Sequence, residues 1–208
     1  MPRQPAVAAA WLTGSAGVLT LGAALVCTGS QCSVTQFDTV VLGLLNDWKS
    51  NGLDTFFATV TWLGSLWVLV PIAVLTAWQE YRRSSWRAAL FVPLSLLLAS
   101  SLAHITKIMV ERPRPELYPA SIPVPMDWSF PSAHTMQVTA CLLAMLLLHR
   151  SGSLIAQTLG AAAVILLVMV SRAYLQVHFP TDIVFGLVAA IACVIGAQKL
   201  TLEQRRVS

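Results

Sequence analysis

Charge is what this sequence has least of. Asp, Glu, Lys and Arg make up 11% of its 208 residues, against the roughly 25% usual in soluble domains. None of them occurs between Arg3 and Asp38, between Asp54 and Glu80, or between Arg150 and Arg172. Each gap exceeds the roughly 20 apolar residues that carry a helix across about 30 Å of hydrocarbon. One soluble core cannot absorb these stretches and the other apolar runs as well, so a soluble bundle is excluded. The sequence also lacks internal repeats, low-complexity tracts and any linker long enough to separate domains, which leaves one domain over 1–208. Cysteine is scarce too. Cys141 and Cys193 lie inside apolar runs, where they pack. Cys27 and Cys32 flank a short polar turn and can pair if that turn faces an oxidising compartment; the spacing leaves this open.

Apolar residues are abundant, at 56%. Their runs predict an all-α, polytopic membrane bundle of six transmembrane helices, near 6–27, 55–78, 88–106, 134–148, 154–170 and 183–198. The first run is longer than the core of a secretory signal and more spans follow, so it is expected to be retained. Val40, Val41, Leu44 and Leu45 give the segment 37–48 one apolar face, as in a short helix lying in the interface. Six spans put both termini on one side. That side holds Arg3, Arg82, Arg83, Arg87, Arg150, Lys199, Arg205 and Arg206; the other holds Lys49, Lys107, Arg112, Arg114 and Arg172. The positive-inside rule makes the termini cytoplasmic, the more so because three cations of the opposite face have a chemical reason to be there. The net charge of +4 is scattered singly and in pairs rather than along a stripe, which excludes a nucleic-acid partner.

Three segments at span ends share that outer face. Lys107 and Arg114-Pro115 leave the third span, Pro131-Ser132-Ala133-His134 enters the fourth, and Ser171-Arg172, His178 and Asp182 join the fifth to the sixth. Lys107, Arg114 and Arg172 together roughly match the charge of about −1.5 to −2 on a phosphomonoester. Ser132 reads as a helix N-cap whose following amides face an anion, with His134 in the first turn. His178 and Asp182 are four apart, so a carboxylate stands beside an imidazole and can fix its tautomer. No cluster suited to a metal is evident.

The pattern closely resembles the type-2 phosphatidic acid phosphatase family, which shares its fold and site with vanadium haloperoxidases. That family's K-x6-RP, PSGH and SR-x5-H-x3-D motifs are all present, in order and at full spacing, except that Ala133 replaces a glycine. The resemblance covers a catalytic core of about 88–200. It implies His178 as nucleophile forming a phosphohistidine, Asp182 as its orienting group, and His134 as the acid that protonates the departing oxygen and then activates water. Lys107, Arg114, Ser132, Ala133 and Arg172 would hold the phosphoryl oxygens, with no metal and no cofactor. Alanine keeps the donor amide and is harmless if its position is helical.

The implied function is a metal-independent lipid phosphate phosphatase, acting at the outer face of a bacterial-type cytoplasmic membrane. Its expected partners are the bilayer and a substrate such as undecaprenyl diphosphate, phosphatidylglycerophosphate or phosphatidic acid, with no obligate protein partner. Phosphotransfer from undecaprenyl diphosphate to an acceptor such as lipid A is the alternative within the chemistry. A non-enzymatic membrane scaffold is the alternative outside it. Arg112 reads as an interfacial anchor and His149 as a boundary residue, while His104, one turn before Lys107, reads as a structural residue inside the third span, with tuning of the site as the alternative. Most tryptophans suit an aromatic belt, whereas Trp128, just before the second motif, is placed to line a headgroup entrance.

Overall fold

A computed structural model of the protein describes residues 4–28, 31–148 and 152–202. Eight helices and one small hairpin are seen among them. Helix α1 (Gln4–Val26) leads into strands β1 (Cys27–Thr28) and β2 (Gln31–Cys32), followed by α2 (Gln36–Asp47), α3 (Asn51–Val60) and α4 (Leu66–Arg83). Helices α5 (Trp86–Val110), α6 (Ala133–Leu148), α7 (Leu154–Tyr174) and α8 (Pro180–Thr201) complete the bundle. The starts of α3, α5 and α7 are set by Ser50, Ser85 and Ser153, whose hydroxyls accept backbone N–H groups of the first turn. Helix α2 starts with a reciprocal pair: Thr35 Oγ1 accepts the Asp38 N–H, and Asp38 Oδ2 accepts the Thr35 N–H. Cys27 and Cys32 form a disulfide across the hairpin, which settles the pairing that spacing left open.

Alpha helices dominate as expected, and among the described residues four or five spans, not six, meet the length and hydropathy that a crossing needs. Four helices, α1, α5, α7 and α8, are long and apolar enough to cross a membrane, and α3 with α4 makes a fifth if the bent pair is one span. Helix α6 has 16 residues, a length of about 24 Å, short of the roughly 30 Å of a hydrocarbon core. The run expected to be one straight span over 55–78 is broken. Its two halves are bent by about 40° at a 3₁₀ turn over Thr61–Gly64, and Ser65 is extended, at φ −82° and ψ 149°. Helices α7 and α8 run further than expected, so Ser171 and Arg172 lie in the last turn of α7 and Asp182 in the first turn of α8.

Alanine, valine and leucine from α1 and α4–α8 fill the interior, while leucines such as Leu21, Leu97 and Leu159 project outward, as lipid contact requires. Small residues set the closest helix approach. A Cβ on Gly22 would lie 2.6 Å from the Phe185 ring, and the buried Ser15 hydroxyl donates to the Ala189 carbonyl at 2.7 Å. Arg82, Arg83 and Arg87 cluster at the α4–α5 turn. Arg3, Arg150, Arg205 and Arg206, the other arginines of that side, and His149 lie outside the described residues.

Candidate active site

Helices α5 and α7 end, and α6 and α8 begin, at the same end of the bundle. Between them is a cavity of about 250 Å³ whose wall includes Lys107, Arg114, Ala133, His134, Arg172 and His178. Lys107 is in the last turn of α5; Glu111 then adopts the left-handed conformation, φ 51°, and turns the chain back across the bundle end. The chain thereby presents Arg114 to the site. Its Nη1 donates to the Val177 carbonyl at 2.5 Å and lies 3.2 Å from His178 Nε2; its Nε donates to the Asp127 carbonyl at 2.8 Å. Because a guanidinium only donates, His178 Nε2 faces it as a lone pair. The proton of the neutral ring then belongs on Nδ1, 3.4 Å from Asp182 Oδ2. Burial, and after it the positive charges of Arg114, Lys107 and Arg172, hold the His178 imidazole well below the usual histidine range.

One expected phosphate ligand, Ser132, stands apart from this wall, whereas Ala133 lines it. Ser132 occupies the N-cap position of α6, where its carbonyl accepts the Met136 N–H at 3.1 Å, but its side chain is fully buried. Its hydroxyl accepts from Thr135 Oγ1 at 3.0 Å, and its own N–H donates to the Asp182 carbonyl. Ser132 thus lies behind the cavity, tying α6 to α8. Ala133 opens α6 in helical conformation and is not a positive-φ residue, so a side chain there is unstrained.

Arg112 overturns its reading as an interfacial anchor. It is 1% exposed and bridges two buried carboxylates: Nη1 to Asp182 Oδ1 at 2.5 Å and Nη2 to Asp38 Oδ2 at 3.1 Å. Its guanidinium also stacks on Phe179, 4.1 Å from the ring centroid. Asp38 accepts the N–H and hydroxyl of Thr181, so α2 is bound to the start of α8 by charge as well as by its apolar face. Ser129 completes the set by donating to Asp182 Oδ2 at 2.5 Å. Sequence reasoning missed Asp38 and Ser129. An acid one turn into an apolar interfacial helix was the available signal for Asp38, since a charge there demands a partner.

Other residues join the site from outside the motifs. Arg172 donates through Nη1 to Thr61 Oγ1, at 2.7 Å, and its buried Nε has no partner among the described residues. The break before α4 brings Gly64 so near His134 that a Cβ there would lie 3.0 Å from the His134 Cβ. Trp67, His104 and Gln137 also line the cavity, whereas Trp128 does not; the backbone carbonyl of Trp128 accepts from Lys107. Asp127 carries the acid of the wall, bound to both Lys107 and Arg114. Burial alone would raise its carboxyl, but these two cations outweigh that and hold it below the usual range. A second, mainly apolar cavity of about 450 Å³ shares His134, Arg172, Ser65, Trp67 and Pro125 with the first and adds Trp62, Ile122 and Pro123.

The fold is that of known membrane phosphatases. The crystal structure of a transmembrane PAP2 type phosphatidylglycerolphosphate phosphatase from Bacillus subtilis superposes with a TM-score of 0.78 at 22% identity, covering 95% of this chain and 97% of that one. Aquifex aeolicus LpxE superposes with a TM-score of 0.63 at 24% identity, over 77% of this chain and 94% of that one. In sequence, decaprenylphosphoryl-5-phosphoribose phosphatase of Mycolicibacterium smegmatis is 38% identical over 125 residues, which is 58% of this chain but only 62% of that protein. The model of the PAP2 superfamily matches residues 88–206, more than half of the chain and all of α6, α7 and α8. This multi-pass membrane protein belongs to the PAP2 superfamily.

Proposed function

We propose that the chain hydrolyses a phosphomonoester or diphosphate of a membrane lipid through a phosphohistidine on His178, without a metal ion. One observation carries the reading: His178 offers an unprotonated Nε2 to a cavity shared with His134 and three cations, while Nδ1 rests on Asp182. In the first step the Nε2 lone pair forms a bond to phosphorus and the bond to the leaving oxygen breaks, His134 giving that oxygen its proton. The phosphorylated imidazole is cationic, and the Asp182 carboxylate beside Nδ1 offsets that charge. In the second step His134 takes a proton from water, the water oxygen bonds to phosphorus, and the phosphorus–Nε2 bond breaks. Lys107, Arg114 and Arg172, with the amide of Ala133, stabilise the equatorial oxygens, the charge-neutralising work that metal ions do in other phosphoryl-transfer sites.

A lipid substrate is supported by the adjoining apolar cavity, which meets the phosphate cavity at His134, the proposed leaving-group acid. It is supported as well by the lipid-phosphate names of two similar proteins, the mycobacterial and Bacillus phosphatases. A disulfide at the site end of the bundle suits an oxidising compartment, so we place the site on the outer face of the cytoplasmic membrane and the termini inside. Six crossings follow if α6, whose N-terminus lies in the site, passes through a bilayer locally thinned around it. Purified protein should release phosphate from at least one of undecaprenyl diphosphate, phosphatidylglycerophosphate and phosphatidic acid, undiminished by a chelator. His178→Ala should abolish release; full activity in that variant would refute the assignment of the nucleophile.

A further inference from the structure

Two of the three cations assigned to the phosphate already hold a carboxylate. Asp127 Oδ2 lies 3.1 Å from Lys107 Nζ, and Asp127 Oδ1 lies 2.5 Å from Arg114 Nη2. The remaining donors of Arg114 are committed to the carbonyls of Asp127 and Val177 and to His178 Nε2. Nη2 has, besides the carboxylate, only a long 3.5 Å contact with the Trp128 carbonyl. Of the donors on Arg114, the one available to an incoming oxyanion is therefore the one that Asp127 occupies. Exposure says which partner can leave: the side chains of Lys107 and Arg114 are 3% and 7% exposed, that of Asp127 45%. The carboxylate stands on a connection between α5 and α6 and can turn outward; the two cations cannot follow it.

We infer that Asp127 is a built-in competitor for the phosphate site, which exchanges places with the substrate's oxyanion and so sets which anions can bind. The inference rests on the phosphatase reading, because that reading assigns Lys107 and Arg114 to the phosphate. Its consequence is selectivity by charge. A bilayer presents phosphodiester headgroups, each with one negative charge, at high local density beside the site. Such a group gains little by replacing another single charge on the same donors. A phosphomonoester, at about −1.5 to −2, gains more and displaces the carboxylate. Asp127 thus keeps abundant phosphodiesters out while admitting the phosphate that is to be removed.

The test uses the full chain in detergent micelles, with inorganic phosphate and phosphatidylglycerol as probes. Isothermal titration calorimetry should show phosphate binding about tenfold tighter in Asp127→Asn than in the parent, the scale of one partly exposed ion pair. Phosphatidylglycerol, inert toward the parent, should become a competitive inhibitor of lipid phosphate hydrolysis. Asp127→Ala, smaller and equally uncharged, should behave alike. Unchanged or weaker phosphate binding in both folded variants would overturn the inference and make Asp127 a strut that positions the cations. Binding needs no turnover, so the two readings fail separately. Tighter phosphate binding in a protein inactive on every lipid phosphate would sink the phosphatase reading alone, and turnover with unaltered binding would sink this one alone.

Discussion

His178, the proposed nucleophile, keeps a lone pair because its surroundings oppose a second proton on the ring. Burial is the first of these influences, and the positive charges of Arg114, Lys107 and Arg172 add to it. The same preference links protonation to stability. The imidazole of the unfolded chain titrates near its ordinary value, about 6.5, while that of the folded chain titrates well below it. As pH falls through about 6.5 the unfolded state takes up a proton first, so the contribution of a neutral His178 is complete above that pH and declines below it. Thermal midpoints in detergent should therefore fall more steeply for the parent than for His178→Gln between pH 7.5 and 5. Parallel curves would mean that the folded imidazole titrates normally.

Charge joins two elements where Arg112 holds Asp38 of α2 against Asp182 of α8. Removing one partner of a buried pair leaves the others uncompensated and typically costs about 3–5 kcal/mol. Arg112→Met should destabilise the protein on that scale, and adding Asp38→Asn should recover part of the loss, as measured by denaturation in detergent. An additive double variant would show that the two side chains are not coupled. This bridge also marks what the sequence could not disclose. Lys107, Arg114, Arg172, His134, His178 and Asp182 were legible because polar groups at the ends of apolar runs, in registered spacing, have few bland explanations. Arg112 sits between two of them and shares their local surroundings, but its partners are 70 and 74 residues away, and no periodicity reports such a pairing. The break at Thr61–Gly64 was hidden for a related reason: its residues are uncharged and apolar enough to continue a span, and only packing against α6 and α7 reveals it.

At the scale of the whole molecule, hydropathy was enough to disclose a membrane bundle, because the bilayer forces backbone pairing into helices whatever the side-chain detail. The number of crossings was less legible, since a helix of 16 residues and a bent pair read the same as ordinary spans in a hydropathy scan. Orientation can be measured directly. In intact cells, an impermeant thiol reagent applied after mild reduction should label Cys27 and Cys32, whereas an Arg83→Cys variant should gain label at position 83 only after the cells are opened. The opposite pattern would turn the site inward. The broken helix links this orientation to the chemistry. It holds Thr61 on Arg172 and Gly64 against His134, so the proposed acid and one phosphate cation both rest on a kink between two membrane-borne segments. Helices adjust their tilt to the thickness of the bilayer around them. On the proposed mechanism, lipid chain length thereby becomes a variable of catalysis, felt at the proposed acid and cation together, even by substrates with identical headgroups.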